Sequence, residues 1–286
     1  MILITGATGQ LGNIVIENLL KKTPAREIAG LARDANKAAH LKAQGVDIRI
    51  GNYDDLESLE RAMQGVHKVL LIAGTDEEKR VGQHQNVVNA AKKAGVQSVA
   101  YTSRTLKDRN TLVNKLMLGH FQTEDDIKAC GLEFTIFRNV LYMDAIVQFV
   151  GPNVFSTGVS LPTGQGKLAF ALRSEIGEGI ANALLKSDRQ SRIYTLTGSE
   201  SYSFDDIAMV LTQLSGKEVK YAALEKFAFE AQLKARGIPE LMAQRMVGFM
   251  TDIKNGQEDE ISPDLQNLLG RKPASLEAGL KLLFKL

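Results

Sequence analysis

Gly6, Gly9 and Gly12 stand three residues apart in the segment GATGQLG, directly behind the apolar run MILIT and directly ahead of an amphipathic stretch. A strand that turns at once into a helix leaves the first backbone N–H groups of that helix pointing outward beside a partial positive charge, which suits a phosphate. In that arrangement Gly6 takes the sharp turn, Gly9 leaves no side chain where a pyrophosphate approaches, and Gly12 lets the helix pack closely on the sheet. Thr8, Gln10 and Leu11 complete the segment as candidate contacts. The spacing is GxxGxxG rather than GxGxxG, and its position between a strand and a helix is what makes it a dinucleotide signal.

A second group of residues bears on which dinucleotide. The stretch GLARDANK places Arg33, then Asp34, after the second apolar run. An arginine there meets the 2′-phosphate of NADP with bidentate, charge-assisted hydrogen bonds, whereas an acidic residue there binds the free ribose of NAD. Arg33 predicts NADP(H) and Asp34 keeps NAD(H) open; the bland alternative makes Asp34 the N-cap of the following helix. At the later strand ends, Asn52 is expected near the adenine, Ala73 and Gly74 beneath the nicotinamide ribose, and Thr102 and Ser103 beside the ring.

These residues need a scaffold, and the remaining pattern describes one. Short apolar runs alternate with segments of helical period as far as residue 139, the signature of βαβ units feeding a doubly wound parallel sheet of Rossmann type. One helix is expected over 113–129. From about 141 to 171 the chain is rich in Gly, Pro and Thr and reads as loop with short strands; SEIGEGIANALLKS and RIYTLTG then return to the sheet. The expected domains are 1–140 plus about 172–198 for the nucleotide, and about 141–171 plus 199–286 as a smaller, mostly helical substrate lobe. With 286 residues, 44% of them hydrophobic and a net charge of +2, the chain has material for a core and no nucleic-acid footprint. No apolar run is long enough to span a bilayer, no signal segment opens the chain, and the single cysteine, Cys130, fits a reducing cytoplasm.

Several segments together, GATGQLG, LAR, YTS, FRNVLY and YSFDDIAMVLTQLSGKEVKY, make the whole chain resemble the NmrA-like atypical short-chain dehydrogenase/reductase family. The resemblance is strongest to its quinone oxidoreductase type 2 and triphenylmethane reductase branch. It implies NAD(P)H-dependent reduction of quinones or similar conjugated acceptors, without flavin or metal. Ordinary short-chain dehydrogenases use Tyr-x-x-x-Lys as acid and base, and none of the six tyrosines here has a lysine four residues later. Relatives in the wider family place a lysine eleven residues before the glycine of a segment like GLEFT; here that position is His120, and the quinone-reducing relatives resemble this chain in having histidine. His120 is thus the candidate catalytic residue, able to hydrogen-bond or protonate an oxyanion; a helix-surface histidine is the alternative. Asn139 and Tyr142, after the sixth strand, are candidate acceptor-binding residues.

A sensor that binds NADP(H) and signals through a partner without turnover fits the missing Tyr-x-x-x-Lys equally well. The other features read blandly. His84 is expected on a helix surface or at an interface, and His40 and His67 lack partners at metal-ligand spacing. Arg104, Lys107 and Arg109 form a solvated basic loop by default, and the apolar stripe in TLVNKLMLGHF is core or the face of a homodimer.

Overall fold

In the computed structural model, which describes residues 1–187 and 190–286, the alternation of apolar runs and helical segments becomes strands and helices in the expected order. Residues 188 and 189, inside the segment 172–198, lie outside the described residues. The strands β1 (Ile2–Ile4), β2 (Ile28–Ala32), β3 (Asp47–Ile50), β4 (Lys68–Leu71), β5 (Ser98–Arg104) and β6 (Glu133–Asn139) are separated by α1 (Gln10–Leu20), α2 (Ala39–Ala43), α3 (Leu56–Ala62), α4 (Arg80–Lys93) and α5 (Leu118–Ala129). After a short-element segment, α8 (Arg173–Leu184) leads to β9 (Arg192–Leu196). The seven strands form one sheet in the order β3-β2-β1-β4-β5-β6-β9, with β1 flanked in parallel by β2 and β4. The crossover direction reverses between β1 and β4, which opens a crevice at their carboxyl ends.

The chain divides into two compact units. The first comprises Met1–Arg104, Leu116–Arg138 and Ser174–Tyr194. Its inner strands β1, β2 and β4 are buried on both faces and are nearly continuous apolar sequence, whereas the edge strand β3 is partly exposed; Leu3, Leu31, Val69, Val99 and Tyr101 pack with Val87 and Ala91 of α4. Helix α1 presses on the sheet through Leu11, Val15, Ile16 and Leu19, while Ile14 meets Gly177 of α8, where an added Cβ would stand 3.1 Å from the Ile14 Cβ.

The second unit comprises Thr105–Lys115, Asn139–Arg173 and Thr195–Leu286. It holds α6 (Ile146–Val150), α7 (Val154–Thr157), α9 (Phe204–Ser215), α10 (Lys226–Ala235), α11 (Glu240–Lys254), α12 (Asp264–Leu269) and α13 (Leu276–Phe284). Two small sheets, β7 (Val159–Leu161) with β11 (Tyr221–Ala223) and β8 (Lys167–Leu168) with β10 (Tyr202–Ser203), complete it. Local chemistry starts α9 in a defined place: the Ser203 hydroxyl accepts from the Asp206 N–H, and the Asp206 carboxylate accepts from the Ser203 N–H. Phe204, Ile207 and Leu211 then face a core shared with Phe170, Met250 and Leu280.

Three expectations need correction. Residues 141–171 are not only loop and short strands, because a 3-10 turn at Met143–Ala145 and the helices α6 and α7 lie there; pieces this short carry no readable period. The helix expected over 113–129 begins at Leu118, preceded by a 3-10 turn at Lys115–Met117, and Leu112 and Met117 of the apolar stripe are buried while Val113 is exposed. The basic loop exposes Lys107 and Arg109 but is not a free solvated loop. Its backbone is pinned by Gln257, which accepts from the Asp108 N–H, and just beyond it the buried Asp252 carboxylate accepts from the N–H groups of Val113 at 2.7 Å and Asn114 at 2.9 Å.

Candidate active site

The turn from β1 into α1 begins at Gly6, whose φ of +58° a residue with a side chain rarely adopts. Gly9 is the N-cap of α1 and offers no side-chain hydrogen bond, so the first-turn N–H groups are left to an external acceptor. An added Cβ on Gly9 would touch only the Gly6 carbonyl oxygen, at 3.2 Å, and otherwise face open space. An added Cβ on Gly12 would stand 2.9 Å from the Gly6 carbonyl carbon and 3.0 Å from the Ala7 Cα, so this glycine seats the helix against the turn.

Beyond that turn lies a cleft of about 480 Å³, lined by Gly6, Thr8, Gly9, Arg33, Asn52, Ala73 and Gly74 among the residues expected from the sequence. Arg33 and Lys37, both exposed, put two cations on one rim. The Asp34 carboxylate accepts from the Asn36 N–H at 2.9 Å and thus shapes the loop after β2; the N-cap of α2 is Ala38, so Asp34 is not that cap. Tyr53 floors the cleft with its hydroxyl between Thr5 Oγ1 and the Ile72 carbonyl, and burial pushes its pKa up. Gln10, Leu11, Gly12, Thr102 and Ser103 are not among the lining residues. Thr102 Oγ1 instead accepts from the Ala73 N–H at 2.9 Å, and Ser103 Oγ donates to Glu124 at 2.7 Å. Burial raises the Glu124 pKa, but hydrogen bonds and charge from Arg138, with Ser103 and Lys128, outweigh it and hold the carboxyl below its usual range.

Sequence reasoning passed over Lys37, Tyr53, Asp54, Thr75, Asp76 and Gln83, all of which line the cleft. Their signal was positional: Tyr53 and Asp54 follow Asn52, Thr75 and Asp76 follow Gly74, and Lys37 lies four residues beyond Arg33.

His120, in the first turn of α5, is 5% exposed and therefore not a helix-surface residue. Its Nδ1 lies 2.8 Å from the Tyr101 hydroxyl of β5. Burial, followed by the charges of Arg80 and Arg104, pushes the His120 pKa well below 6.5, so the imidazole is neutral at pH 7. His84 is also no surface residue: at 1% exposure it receives the Gly74 N–H on Nε2 at 3.1 Å. A neutral, oriented imidazole can hydrogen-bond an oxyanion without being a strong acid.

In the second unit, Asn139 ends β6 at 2% exposure, with its Nδ2 3.4 Å from the Tyr142 hydroxyl and its Oδ1 buried without a hydrogen-bond partner among the described residues. Tyr142 is half-buried, and the Arg173 guanidinium sits 4.8 Å from its ring centroid. Asp144 fixes Arg173 by accepting from its backbone N–H at 2.9 Å and from Nη1 at 3.2 Å.

Among the described residues no group of three or more His, Cys, Asp or Glu side chains is arranged to hold a metal, and no helix is long and apolar enough to cross a membrane. Residues 1–277 match the model of the NmrA-like family. The chain is 36% identical over 285 residues to quinone oxidoreductase 2 of Escherichia coli strain K12, an alignment covering 99% of both proteins. The crystal structure of an NADPH-dependent quinone oxidoreductase from Escherichia coli complexed with NADPH is similar with a TM-score of 0.93 at 35% identity, over 99% of this chain and 100% of that one. The triphenylmethane reductase of Citrobacter sp. complexed with NADP(H) is similar with a TM-score of 0.92 at 34% identity, over 99% and 100% of the two chains.

Proposed function

As this chain belongs to the NmrA-like family, we propose that it is an NADPH-preferring reductase that passes a hydride to quinones and similar flat, conjugated acceptors, without flavin or metal. One observation carries the cofactor reading: a glycine-built helix N-terminus opens on a cleft whose far rim carries Arg33 and Lys37. The residues present fit a phosphorylated dinucleotide, because Gly9 leaves open space at the helix start and both rim side chains are cationic and exposed. The cleft volume falls within the range of about 300–1,000 Å³ usual for ligand pockets.

When bound, the dihydronicotinamide supplies the hydride. The chain's own contribution is orientation and electrostatics. Gly6, Thr8 and Gly9, with the first-turn N–H groups of Gln10, Leu11 and Gly12, hold the pyrophosphate; Arg33 holds the 2′-phosphate; Asn52 bounds the adenine end. Ala73 and Gly74 bound the ribose end, supported by Thr102 through its bond to the Ala73 N–H, and Ser103 sets the β5 side of the ring. His120 is the catalytic residue: with Tyr101 donating to Nδ1, its Nε2 keeps a proton and donates a hydrogen bond to the oxygen on which negative charge develops. The resulting hydroquinone anion is delocalised and takes its proton from solvent. Asn139 and Tyr142 recognise the acceptor.

The division of labour follows the chain, His120 and Asn139 excepted: 1–140 with 172–198 for the nucleotide, 141–171 with 199–286 for the acceptor. A homodimer and a cytoplasmic location complete the reading, the latter supported by the single cysteine. The deciding experiment assays purified protein with a panel of quinones and dyes, using NADPH and NADH side by side. Acceptor-dependent oxidation of NADPH, faster than of NADH, is expected; nucleotide binding with no turnover on any acceptor overturns the reading.

A further inference from the structure

Arg80 and His84 lie one turn apart on α4, both buried, at 4% and 1% exposure. A buried cation and a buried imidazole cost desolvation free energy, and an apolar side chain of similar size would fill the same space. Their bonds show what the polar groups do. Gly74, on the cleft wall, gives both its backbone groups to this pair: its N–H donates to His84 Nε2 at 3.1 Å, and its carbonyl accepts from Arg80 Nε at 3.4 Å. From the same two side chains, bonds reach the start of α5. Arg80 Nη1 donates to the Leu116 carbonyl at 3.2 Å, and His84 Nδ1 lies 2.9 Å from Thr123 Oγ1, whose hydroxyl donates to the Gly119 carbonyl at 2.8 Å.

The direction of every bond in this chain is forced. A backbone N–H only donates, so His84 Nε2 carries no proton; a neutral imidazole then has its proton on Nδ1. A carbonyl only accepts, so the single Thr123 hydroxyl proton goes to Gly119, and Thr123 Oγ1 accepts from His84. The line runs one way, from the cleft residue Gly74 to Gly119, the residue before His120. Gly119 lies where the two helices meet: an added Cβ there would make ordinary van der Waals contact, 3.4 Å from Val81 Cγ2 and 3.7 Å from Arg80 Cδ.

From this geometry we infer that Arg80 and His84 are positioning residues, a clamp that fixes the cleft wall at Gly74 against the helix turn carrying His120, with His84 held as the neutral Nδ1–H tautomer. The inference rests on the nucleotide cleft and the His120 role proposed above. Protonating Nε2 would set a donor against the Gly74 N–H and break the clamp. Burial and a neighbouring cation oppose that. Burial and the Arg80 charge on its own helix depress the His84 pKa to about 3, and the other titratable groups facing it are the rings of Tyr53 (6.3 Å between centroids) and Tyr101 (5.2 Å), with His120 from α5. None supplies the negative charge that would stabilise an imidazolium at neutral pH.

The test compares His84→Gln, which keeps one acceptor and one donor, with His84→Leu, which keeps bulk only. NADPH affinity is read by calorimetry, Gly74 by amide hydrogen exchange, and the acceptor reaction by kcat and KM. The leucine variant is expected to bind NADPH about tenfold more weakly, the cost of leaving the half-buried Gly74 N–H without its acceptor, to lose protection at Gly74 and to lower kcat. The glutamine variant should recover the affinity to within about threefold of wild type. A leucine variant with wild-type affinity and a protected Gly74 amide overturns the clamp, even if its Tm falls. Should that variant not fold, the wild-type protein decides by nitrogen-15 NMR: an Nε2–H tautomer, or a His84 that protonates at pH 6, overturns the inference. Wild-type protein that fails to bind NADPH overturns the underlying function instead, a separate outcome.

Discussion

Alanine at Gly9 and alanine at Gly12 make a paired perturbation whose outcomes should separate. Gly9 has φ −80° and ψ 165°, a conformation alanine adopts freely, and its added Cβ would meet one atom, the Gly6 carbonyl oxygen at 3.2 Å. The fold should absorb this with a change within about 0.5 kcal/mol. The new methyl nevertheless stands in the cleft at the helix start, where a phosphate oxygen has to approach the N–H groups. A loss of NADPH affinity of tenfold or more, about 1.4 kcal/mol, is expected. Gly12 does not line the cleft, but its Cβ would press on the backbone of Gly6 and Ala7, atoms that cannot rotate away. Overpacking of this kind costs about 1–3 kcal/mol, of which up to about 1 kcal/mol is returned by the better helix propensity of alanine. Gly12→Ala should therefore lower stability and affinity together, whereas Gly9→Ala lowers affinity alone. Urea unfolding followed by circular dichroism, with calorimetric titration of NADPH, reads both quantities. A Gly9→Ala protein with wild-type affinity would refute the phosphate cradle.

Arg33→Glu should reduce kcat/KM with NADPH by at least about tenfold and leave NADH nearly untouched; equal losses with both nucleotides would remove Arg33 from the 2′-phosphate site. Because the His120 pKa is pushed down by burial and cations, kcat/KM for the acceptor should stay flat from about pH 6 to pH 8, with no step near the ordinary histidine value of about 6.5; a step there places a titrating imidazole in the reaction. Acid stability follows from the same histidines. Their folded pKa values lie below the unfolded value, so the unfolded state binds more protons as pH falls beneath about 6.5, and stability should drop by up to ~1.4 kcal/mol per pH unit for each. For His84 the drop ends near its folded pKa of about 3, and denaturant midpoints for wild type and His84→Gln at pH 7 and pH 5 isolate its share. Asp252→Ala removes the acceptor of two backbone N–H groups and should cost about 3 kcal/mol, measured by the urea midpoint; a loss under about 0.5 kcal/mol would mean that water replaces the carboxylate.

The strands and the long helices were legible because their causes are local. Runs such as KVLLIAG are apolar throughout, α1 shows a clear apolar face, and Ser203 with Asp206 marks the start of α9 within four residues. The glycine turn was legible for the same reason, and with it the cleft from Gly6 to Gly74. What escaped was set by distant contacts. Helix α4 reads as polar, RVGQHQNVVNAAKK, so Arg80 and His84 look solvated; only the packing of α5 against them makes them interior. The pinning of the 105–115 loop was equally hidden, since Asp252 lies more than a hundred residues further along the chain. Thr102 and Ser103 sit at the expected strand end, yet their hydroxyls serve Ala73 and Glu124, partners that strand position alone does not name.

Hydride passing straight from the nicotinamide to the acceptor can be followed with an isotope label. Purified protein is given NADPH carrying deuterium at the transferable C4 position and a triphenylmethane dye whose central carbon keeps what it receives. One deuterium is expected on that carbon in ordinary water, with no added flavin or metal. A product carrying no deuterium from the nucleotide, or turnover that appears only when flavin is supplied, would contradict it.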